Sequence, residues 1–265
     1  MSTHHVGTPK RSAYFREEHE LLKAQIRRFV EEEIKPYALQ WEQDGMVPRD
    51  VLRRMGELGF LGIRYSAEYG GSNMDTLATV VLAEELGRST FSGVAITVLV
   101  HTDMASVHLY NAGSQALKDH FMPDVIAGKK IVAVGVTEPG AGSDVKGIRT
   151  TARREGDGYV LNGTKMFITN GVHADLYCIA AVSSPDARPS QRLSMFLVEK
   201  GTPGFRVGRD LDKQGWRSSD TAELLFEDCR IPATNLLGEE GRGLYGIMQN
   251  FQNERIVLGA MAMGE

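Results

Sequence analysis

The sequence predicts an α+β protein: an all-helical N-terminal domain, then an antiparallel β domain, then the start of a C-terminal helical domain. Apolar residues recur at spacings of three and four across residues 12–130, which is the period of an α-helix. From Ile131 the chain changes to short β-branched and apolar runs separated by Gly, Pro, Asp and Asn. Helical spacing returns after Gly243. We place the predicted domains at residues 1–130, 131–236 and 237–265.

The N-terminal part is expected to hold about five helices, given ordinary helix lengths. Asp75 stands where an N-cap would begin a helix over residues 76–86, and Ser114 could begin the next one. Predicted breaks in the helical spacing fall at Pro36, Gly70-Gly71 and Gly87.

The middle part predicts a sheet. Its connections are too short and too polar to hold the crossover helices that parallel strands require, which favours antiparallel pairing. Within the second run, the pair Asn162-Gly163 predicts a hairpin turn. The predicted strands are residues 131–136, 158–168, 176–182, 194–198 and 223–226.

Charge and cysteine content exclude several classes of function. The 265 residues include 30 Lys and Arg against 34 Asp and Glu, a formal charge of −4, without a block of like charges. A nucleic-acid-binding protein is therefore not expected. Cys178 and Cys229 cannot form a disulfide framework and lack the spacing of a zinc site. We therefore expect no metal and a reducing compartment.

Neither a targeting segment nor a membrane span is visible in the sequence. Residues 1–10 are polar and lack the apolar stretch of a signal peptide, which predicts a cytoplasmic location. The most apolar run, residues 93–100, is much shorter than the roughly 20 residues that cross a bilayer. Helical spacing reaches Glu265 without a stop signal, so we expect a chain that is cut inside a helix.

A loop rich in Gly, Pro and hydroxyl residues, residues 136–144, follows the first predicted strand. It lacks the last glycine of a dinucleotide fingerprint and the Lys-Ser/Thr pair of a phosphate loop. A Ser-x-x-Lys match within it could indicate an acyl-serine hydrolase, but the companion motifs of that class are absent. The loop could be a plain turn. It could equally bind an anion through consecutive backbone N–H groups and the hydroxyls of Thr137 and Ser143.

Two other positions have alternative interpretations. Phe167, in the segment 165–171 at the end of a predicted strand, could face a ring-shaped ligand or belong to the core. Glu254 falls in the middle of the apolar stripe of the last helix, where burial would raise its pKa and make it a usable base unless Arg255 compensates. The alternative is a solvated or salt-bridged glutamate. The apolar positions of this stripe are Leu244, Ile247, Phe251, Leu258 and Met261.

Taken together, three segments resemble the acyl-CoA dehydrogenase family in order and separation: residues 136–144, 165–171 and 218–221. The resemblance covers nearly the whole chain and two of the three domains of that family, with the rest of a helical domain expected after Glu265. It implies that FAD oxidises a fatty-acyl or related acyl-CoA thioester to the trans-2-enoyl-CoA. Such a reaction needs a hydride acceptor, which no side chain supplies, and a base for the α proton.

The resemblance also implies roles for individual residues. Thr137 would hydrogen-bond the isoalloxazine edge, Ser143 would meet the pyrophosphate, and Thr169 would lie near the reactive nitrogen. The long-chain and isovaleryl types place the catalytic glutamate on the helix that matches 243–265, here at Glu254, whereas most members place it in the C-terminal domain. The implied substrate contacts are Ser143, Tyr245, Gln252 and Arg255. The implied cofactor-binding residues are Val134, Gly135, Val136, Thr137, Glu138, Pro139, Gly140, Ala141, Gly142, Ser143, Phe167, Ile168 and Thr169.

The resemblance leaves rival functions and implies partners. An acyl-CoA oxidase would pass the electrons to oxygen instead of an electron-transferring flavoprotein. A non-catalytic acyl-CoA binding subunit would keep the fold and lose the catalytic activity, although intact Thr137, Ser143 and Thr169 argue against it. For a complete dehydrogenase we expect fatty acid β-oxidation, an electron-transferring flavoprotein as acceptor and a homotetramer built as a dimer of dimers.

Overall fold

The structure, a computed structural model, describes residues 14–265. The polar residues 1–10, on which the predicted lack of a targeting segment rests, lie outside that range. Within it, the helical, sheet and helical parts follow one another in the predicted order, so the predicted fold class is confirmed. The helices that precede the sheet end at Ile126, and the strands run from Val132 to Leu237. The domain limits at residues 130 and 236 stay a prediction.

Five continuous helices precede the sheet in the described residues, which confirms the expected number. Two of them contain a π-helical segment, Val30–Ile34 in the first and Val100–Ala105 in the fourth. The α-helical segments are α1 Glu17–Phe29, α2 Lys35–Asp44, α3 Arg49–Glu57, α4 Thr76–Gly87, α5 Ser92–Leu99, α6 Ser106–Ala112 and α7 Gln115–Ile126.

Two predicted helix starts are confirmed by their caps. The Asp75 carboxylate accepts hydrogen bonds from the backbone N–H groups of Leu77 and Ala78 at the start of α4. The Ser114 hydroxyl accepts one from Leu117 at the start of α7. Each cap satisfies a donor that the helix leaves free and stabilises the fold by about 1 kcal/mol.

The prediction that Pro36 ends a helix is wrong. Pro36 lies in the first turn of α2, directly after the π-helical segment Val30–Ile34. A proline has no backbone N–H, and the π-helical segment before it interrupts the regular α-helical hydrogen-bond pattern, so the missing donor is tolerated there. The chain therefore continues as a helix to Asp44.

The sheet is mixed. Its strands are β1 Val132–Gly135, β2 Thr151–Glu155, β3 Gly158–Thr169, β4 Leu176–Val182, β5 Leu193–Glu199, β6 Phe205–Asp210, β7 Thr221–Pro232 and β8 Leu236–Leu237. Most neighbouring strands pair antiparallel as predicted, but β1 lies parallel to β4, and β2 pairs with β4 in parallel. The long connection that parallel pairing needs is supplied here by a loop and the β2–β3 hairpin. The strand order is β6-β7-β3-β2-β4-β5-β8, with β1 also paired to β4.

The predicted hairpin at Asn162-Gly163 is also wrong, because β3 runs through both residues. The register against β7 shifts between Leu161 and Gly163, which marks a bulge. Gly163 has φ +146°, and a Cβ there would lie 2.5 Å from Thr150 Oγ1. A bulge and a tight turn both favour glycine, so the local sequence alone does not separate them.

The last helix, α8 Gly243–Gly264, connects the sheet to the helical domain. At its start, a Cβ on Gly243 would lie 2.8 Å from the backbone of Ser194 in β5. At its end, a Cβ on Gly87 of α4 would lie 2.1 Å from the Met261 carbonyl oxygen. These close backbone approaches fix the position of α8 at both ends. Across the described residues, none of the helices is both long and apolar enough for a bilayer.

Candidate functional site

A cavity of about 200 Å³ lies where the sheet, α8 and the α5–α6 helix meet. It brings together the two segments predicted to hold a flavin and the glutamate predicted as the base. Its apolar wall includes Val100, Met104 and Phe251. The predicted residues that line it are Val134, Val136, Thr137, Gly142, Phe167, Ile168, Thr169 and Glu254.

A buried ion pair fixes the Gly-rich loop to strand β3. Lys165 Nζ lies 2.7 Å from Glu138 Oε1 and 3.2 Å from the Val136 carbonyl oxygen. The Glu138 carboxylate also accepts from the backbone N–H groups of Arg149 and Thr150. Burial opposes ionisation of Glu138, but Lys165 and these donors together lower its pKa. The Glu138 side chain thus shapes the loop and is already fully engaged within the protein.

The remainder of the loop presents open backbone. Pro139, Gly140, Gly142 and Ser143 are exposed, and a Cβ on Gly140 or Gly142 would meet nothing within 4 Å. Such bare backbone lets a ligand approach the N–H groups closely. Gly142 lines the cavity, whereas six other predicted cofactor-binding residues do not: Gly135, Glu138, Pro139, Gly140, Ala141 and Ser143.

Phe167 is 63% exposed at the wall of this cavity, so its interpretation as a core residue is wrong. Its φ of +60° is in the left-handed region, which costs a bulky residue about 1–3 kcal/mol. The register against β7 shifts between Lys165 and Ile168, so a bulge sets this backbone. An exposed ring held in a strained conformation is suited to stack on a planar ligand.

Glu254 is half-buried in the same cavity. Burial raises the pKa of Glu254 to about 7, although a hydrogen bond from Asn250 and the charge of Arg255 oppose the rise. Asn250 Nδ2 donates to Glu254 Oε1 at 2.7 Å. Arg255 is exposed, and its guanidinium lies 5.9 Å from the centre of the Phe251 ring. A carboxyl group that titrates near neutral pH is suited to accept a proton.

A second cavity of about 490 Å³ adjoins the first, and His108 lines both. Of the predicted substrate residues, Tyr245 and Gln252 line this larger cavity, whereas Arg255 and Ser143 line neither. The Arg242 guanidinium lies 5.2 Å from the centre of the exposed Tyr245 ring. Polar side chains of α8 make the lining of this cavity more polar than that of the first one.

Asn250 was not predicted from the sequence. It lies four residues before Glu254, the spacing at which two side chains of one helix meet, and that spacing is the signal that could have identified it. Its other contacts, to backbone oxygens of Asp103 and Met104, join residues about 150 positions apart and leave no local signal. In the described part of the chain, no cluster of three His, Cys, Asp or Glu side chains is suited to a metal ion.

Comparison with known proteins identifies the family. Residues 16–129 match the model of the acyl-CoA dehydrogenase N-terminal domain, and residues 133–229 match that of the middle domain. An acyl-CoA dehydrogenase structure from Geobacillus kaustophilus superposes with a TM-score of 0.92 at 42% identity, covering 96% of this chain and 67% of that one. The chain belongs to the acyl-CoA dehydrogenase family. The resemblance and the fold that it implied are therefore confirmed.

Two further proteins of similar sequence or structure extend the comparison. The mitochondrial long-chain specific acyl-CoA dehydrogenase of Mus musculus is 42% identical over 250 residues, which cover 94% of this chain and 58% of the mouse protein. A structure described as the FAD complex of PigA is 30% identical with a TM-score of 0.91, covering 96% of this chain and 66% of that one. The chain thus spans little more than half the length of its mouse relative.

Proposed function

We propose that the protein catalyses the FAD-dependent α,β-dehydrogenation of an acyl-CoA thioester to the trans-2-enoyl-CoA. The observation that carries this proposal is the cavity in which a half-buried glutamate faces Thr137, Phe167 and Thr169. Family membership supports the reaction class, and the FAD complex among the similar structures supports the cofactor.

The residues of the cavity fit a flavin. Open backbone at Gly140 and Gly142 leaves room for a phosphate beside N–H groups, and the exposed Phe167 ring offers a stacking face. Thr137 and Thr169 would hold the ring edge, with Ile168 beneath it and Ser143 toward the pyrophosphate. When bound, FAD supplies the hydride acceptor that the side chains lack.

Glu254 takes the proton from the α carbon of the substrate. Its partial burial raises its proton affinity, so the carboxylate is a stronger base than an exposed glutamate and still ionises near neutral pH. The apolar side chains of Val100, Met104 and Phe251 line the place where the acyl chain would lie. Asn250 holds the carboxylate by its hydrogen bond.

The substrate would extend from the first cavity toward the second. Tyr245 and Gln252 line the route, and Arg255 and Ser143 complete the substrate contacts outside it. We expect medium-length, long or branched acyl groups to be the preferred substrates. An electron-transferring flavoprotein is the proposed electron acceptor, and a dimer of dimers is the proposed assembly. The cytoplasmic location stays a prediction.

Anaerobic mixing of the FAD-loaded protein with a panel of straight and branched acyl-CoAs tests this proposal. We expect substrate to bleach the flavin absorption band, and electron-transferring flavoprotein to restore it. Fast restoration by oxygen, with peroxide formed, would indicate an acyl-CoA oxidase instead. FAD-loaded protein that binds acyl-CoA without bleaching of its flavin would indicate the non-catalytic binding subunit. A protein that takes up no flavin would contradict the proposal.

A further inference from the structure

Asn250 connects the candidate base to the helical domain. Its side chain is 7% exposed, and its Nδ2 lies 2.7 Å from Glu254 Oε1. The same nitrogen lies 3.3 Å from the backbone oxygens of both Asp103 and Met104. An amide nitrogen carries two hydrogens, so one serves the carboxylate and the other serves this pair of carbonyl groups. Asn250 thus attaches the carboxylate to a fixed place on the opposite helix.

The π-helical segment Val100–Ala105 explains why acceptors are present at that place. A π turn departs from the regular α-helical hydrogen-bond pattern, and such turns often occur at functional sites. Asn253 Nδ2, one turn along α8 from Asn250, lies 3.4 Å from the same Asp103 carbonyl oxygen. The fully buried Asp103 carboxylate accepts a hydrogen bond from the Thr102 hydroxyl, and its Oδ1 lies 3.2 Å from Arg64 Nη1. The segment therefore provides hydrogen-bonded contacts for α8.

We propose that Asn250 is a positioning residue that keeps the Glu254 carboxylate facing the cavity and stabilises its ionised form through a hydrogen bond. The inference rests on the proposed function, in which Glu254 is the base. Asn253 Nδ2 contacts the Asp103 carbonyl oxygen and, at 3.5 Å, Asp103 Oδ1, but it makes no hydrogen bond to Glu254. The two asparagines therefore separate the docking of the helix from the control of the Glu254 carboxylate.

The hydrogen bond has a defined electrostatic consequence. Burial raises the pKa of Glu254, and a donor to the ionised form lowers it. Other charged or titratable groups also face this region: Arg255 on α8, Asp103 with Arg64 across the π segment, and His108 in the cavity wall. Burial lowers the pKa of His108 to about 4, so that ring is neutral at pH 7. Replacing Asn250 alters none of these groups.

An NMR titration of the Glu254 carboxyl group in protein with ¹³C-carboxyl-labelled glutamate tests the inference. The resonance is identified by its absence in Glu254→Gln. Asn250→Leu keeps the approximate volume and removes the donor, and we expect the titration midpoint to rise by about one pH unit. Asn250→Asp keeps the shape but adds a negative charge, and we expect a larger rise. Asn253→Leu is the matched control, for which we expect the wild-type midpoint.

An unchanged midpoint in Asn250→Leu would overturn the inference. So would an equal rise in Asn253→Leu, because the cause would then be loosened helix packing. In FAD-loaded protein, Asn250→Leu should also displace the acid limb of the pH profile of flavin reduction by the same amount as the titration. The titration needs neither flavin nor substrate. Its failure is therefore distinct from failure of the proposed function, which a protein without flavin, or with flavin that acyl-CoA does not bleach, would show. Bleaching of Glu254→Gln at the wild-type rate would remove Glu254 as the base.

Discussion

The carboxyl group of Glu254 lies on a helix face that packs mainly apolar side chains, with the buried Asn250 beside it. This position could be predicted because helical periodicity depends only on neighbouring residues, and Ile247 and Met261 are indeed buried on the same face. The exposed and strained state of Phe167 could not be predicted, because the bulge against β7 that sets its backbone depends on pairing with a distant strand. At the scale of the residue, the sequence identifies the chemical group better than its conformation.

Burial of Glu254 should cost stability, and the cost should depend on pH. Its ordinary pKa of 4.5 rises to about 7 in the folded protein, so the folded state binds more protons than the unfolded state between these values. Stability should therefore fall as pH rises through this window and stay low above it. Since Gln carries no charge, Glu254→Gln should unfold with a free energy about 2 kcal/mol higher than wild type at pH 8.

Urea unfolding of flavin-free wild type and Glu254→Gln at pH 4 and pH 8 measures this difference. The difference at pH 4 should be close to zero, because both side chains are then neutral. Equal stability of the two proteins at both pH values would show that the carboxylate is not desolvated. Exposed Glu57→Gln is the control, and its effect should be small at both pH values.

The elements that hold the site come together through close backbone contacts. Helix α8 is fixed at Gly243 against β5 and at Met261 against Gly87 of α4. Two local predictions failed at this scale for related reasons. Pro36 stays in a helix because a π segment precedes it, and Asn162-Gly163 stays in a strand because β7 pairs beside it. In both cases the surrounding structure decides between conformations that the local residues permit equally.

Gly87→Ala should separate α8 from α4. The new Cβ would lie 2.1 Å from the Met261 carbonyl oxygen. A backbone atom cannot move away as easily as the end of a flexible side chain, so the two helices must shift apart. We expect a loss of about 1–3 kcal/mol in unfolding free energy, measured by urea titration.

Gly259→Ala is the matched control on α8 itself. Gly259 is exposed, and a Cβ there would meet nothing within 4 Å. Alanine favours the helix, so this variant should be more stable by about 0.5–1 kcal/mol. If Gly87→Ala proved as stable as Gly259→Ala, the two helices would not be in close contact.

At the scale of the whole molecule, the order of helical and sheet parts could be predicted because hydrophobic period changes abruptly near Ile131 and again near Gly243. The parallel placement of β1 beside β4 could not, because it joins strands separated by the whole β2–β3 hairpin. The same limit applies to the site. Each segment of the cavity carries a local signature, but the contact of Asn250 with Asp103 exists only in the folded chain.

The central claim is that Glu254 removes the α proton of an acyl-CoA thioester. Rapid anaerobic mixing of FAD-loaded Glu254→Gln protein with acyl-CoA, followed by the flavin absorption, tests it most directly. A positioned base contributes about 10²–10⁴ in rate, so bleaching should slow by at least about 100-fold, with flavin content and acyl-CoA binding near the wild-type values. Bleaching of the Gln variant at the wild-type rate would contradict the claim and assign the base to another residue.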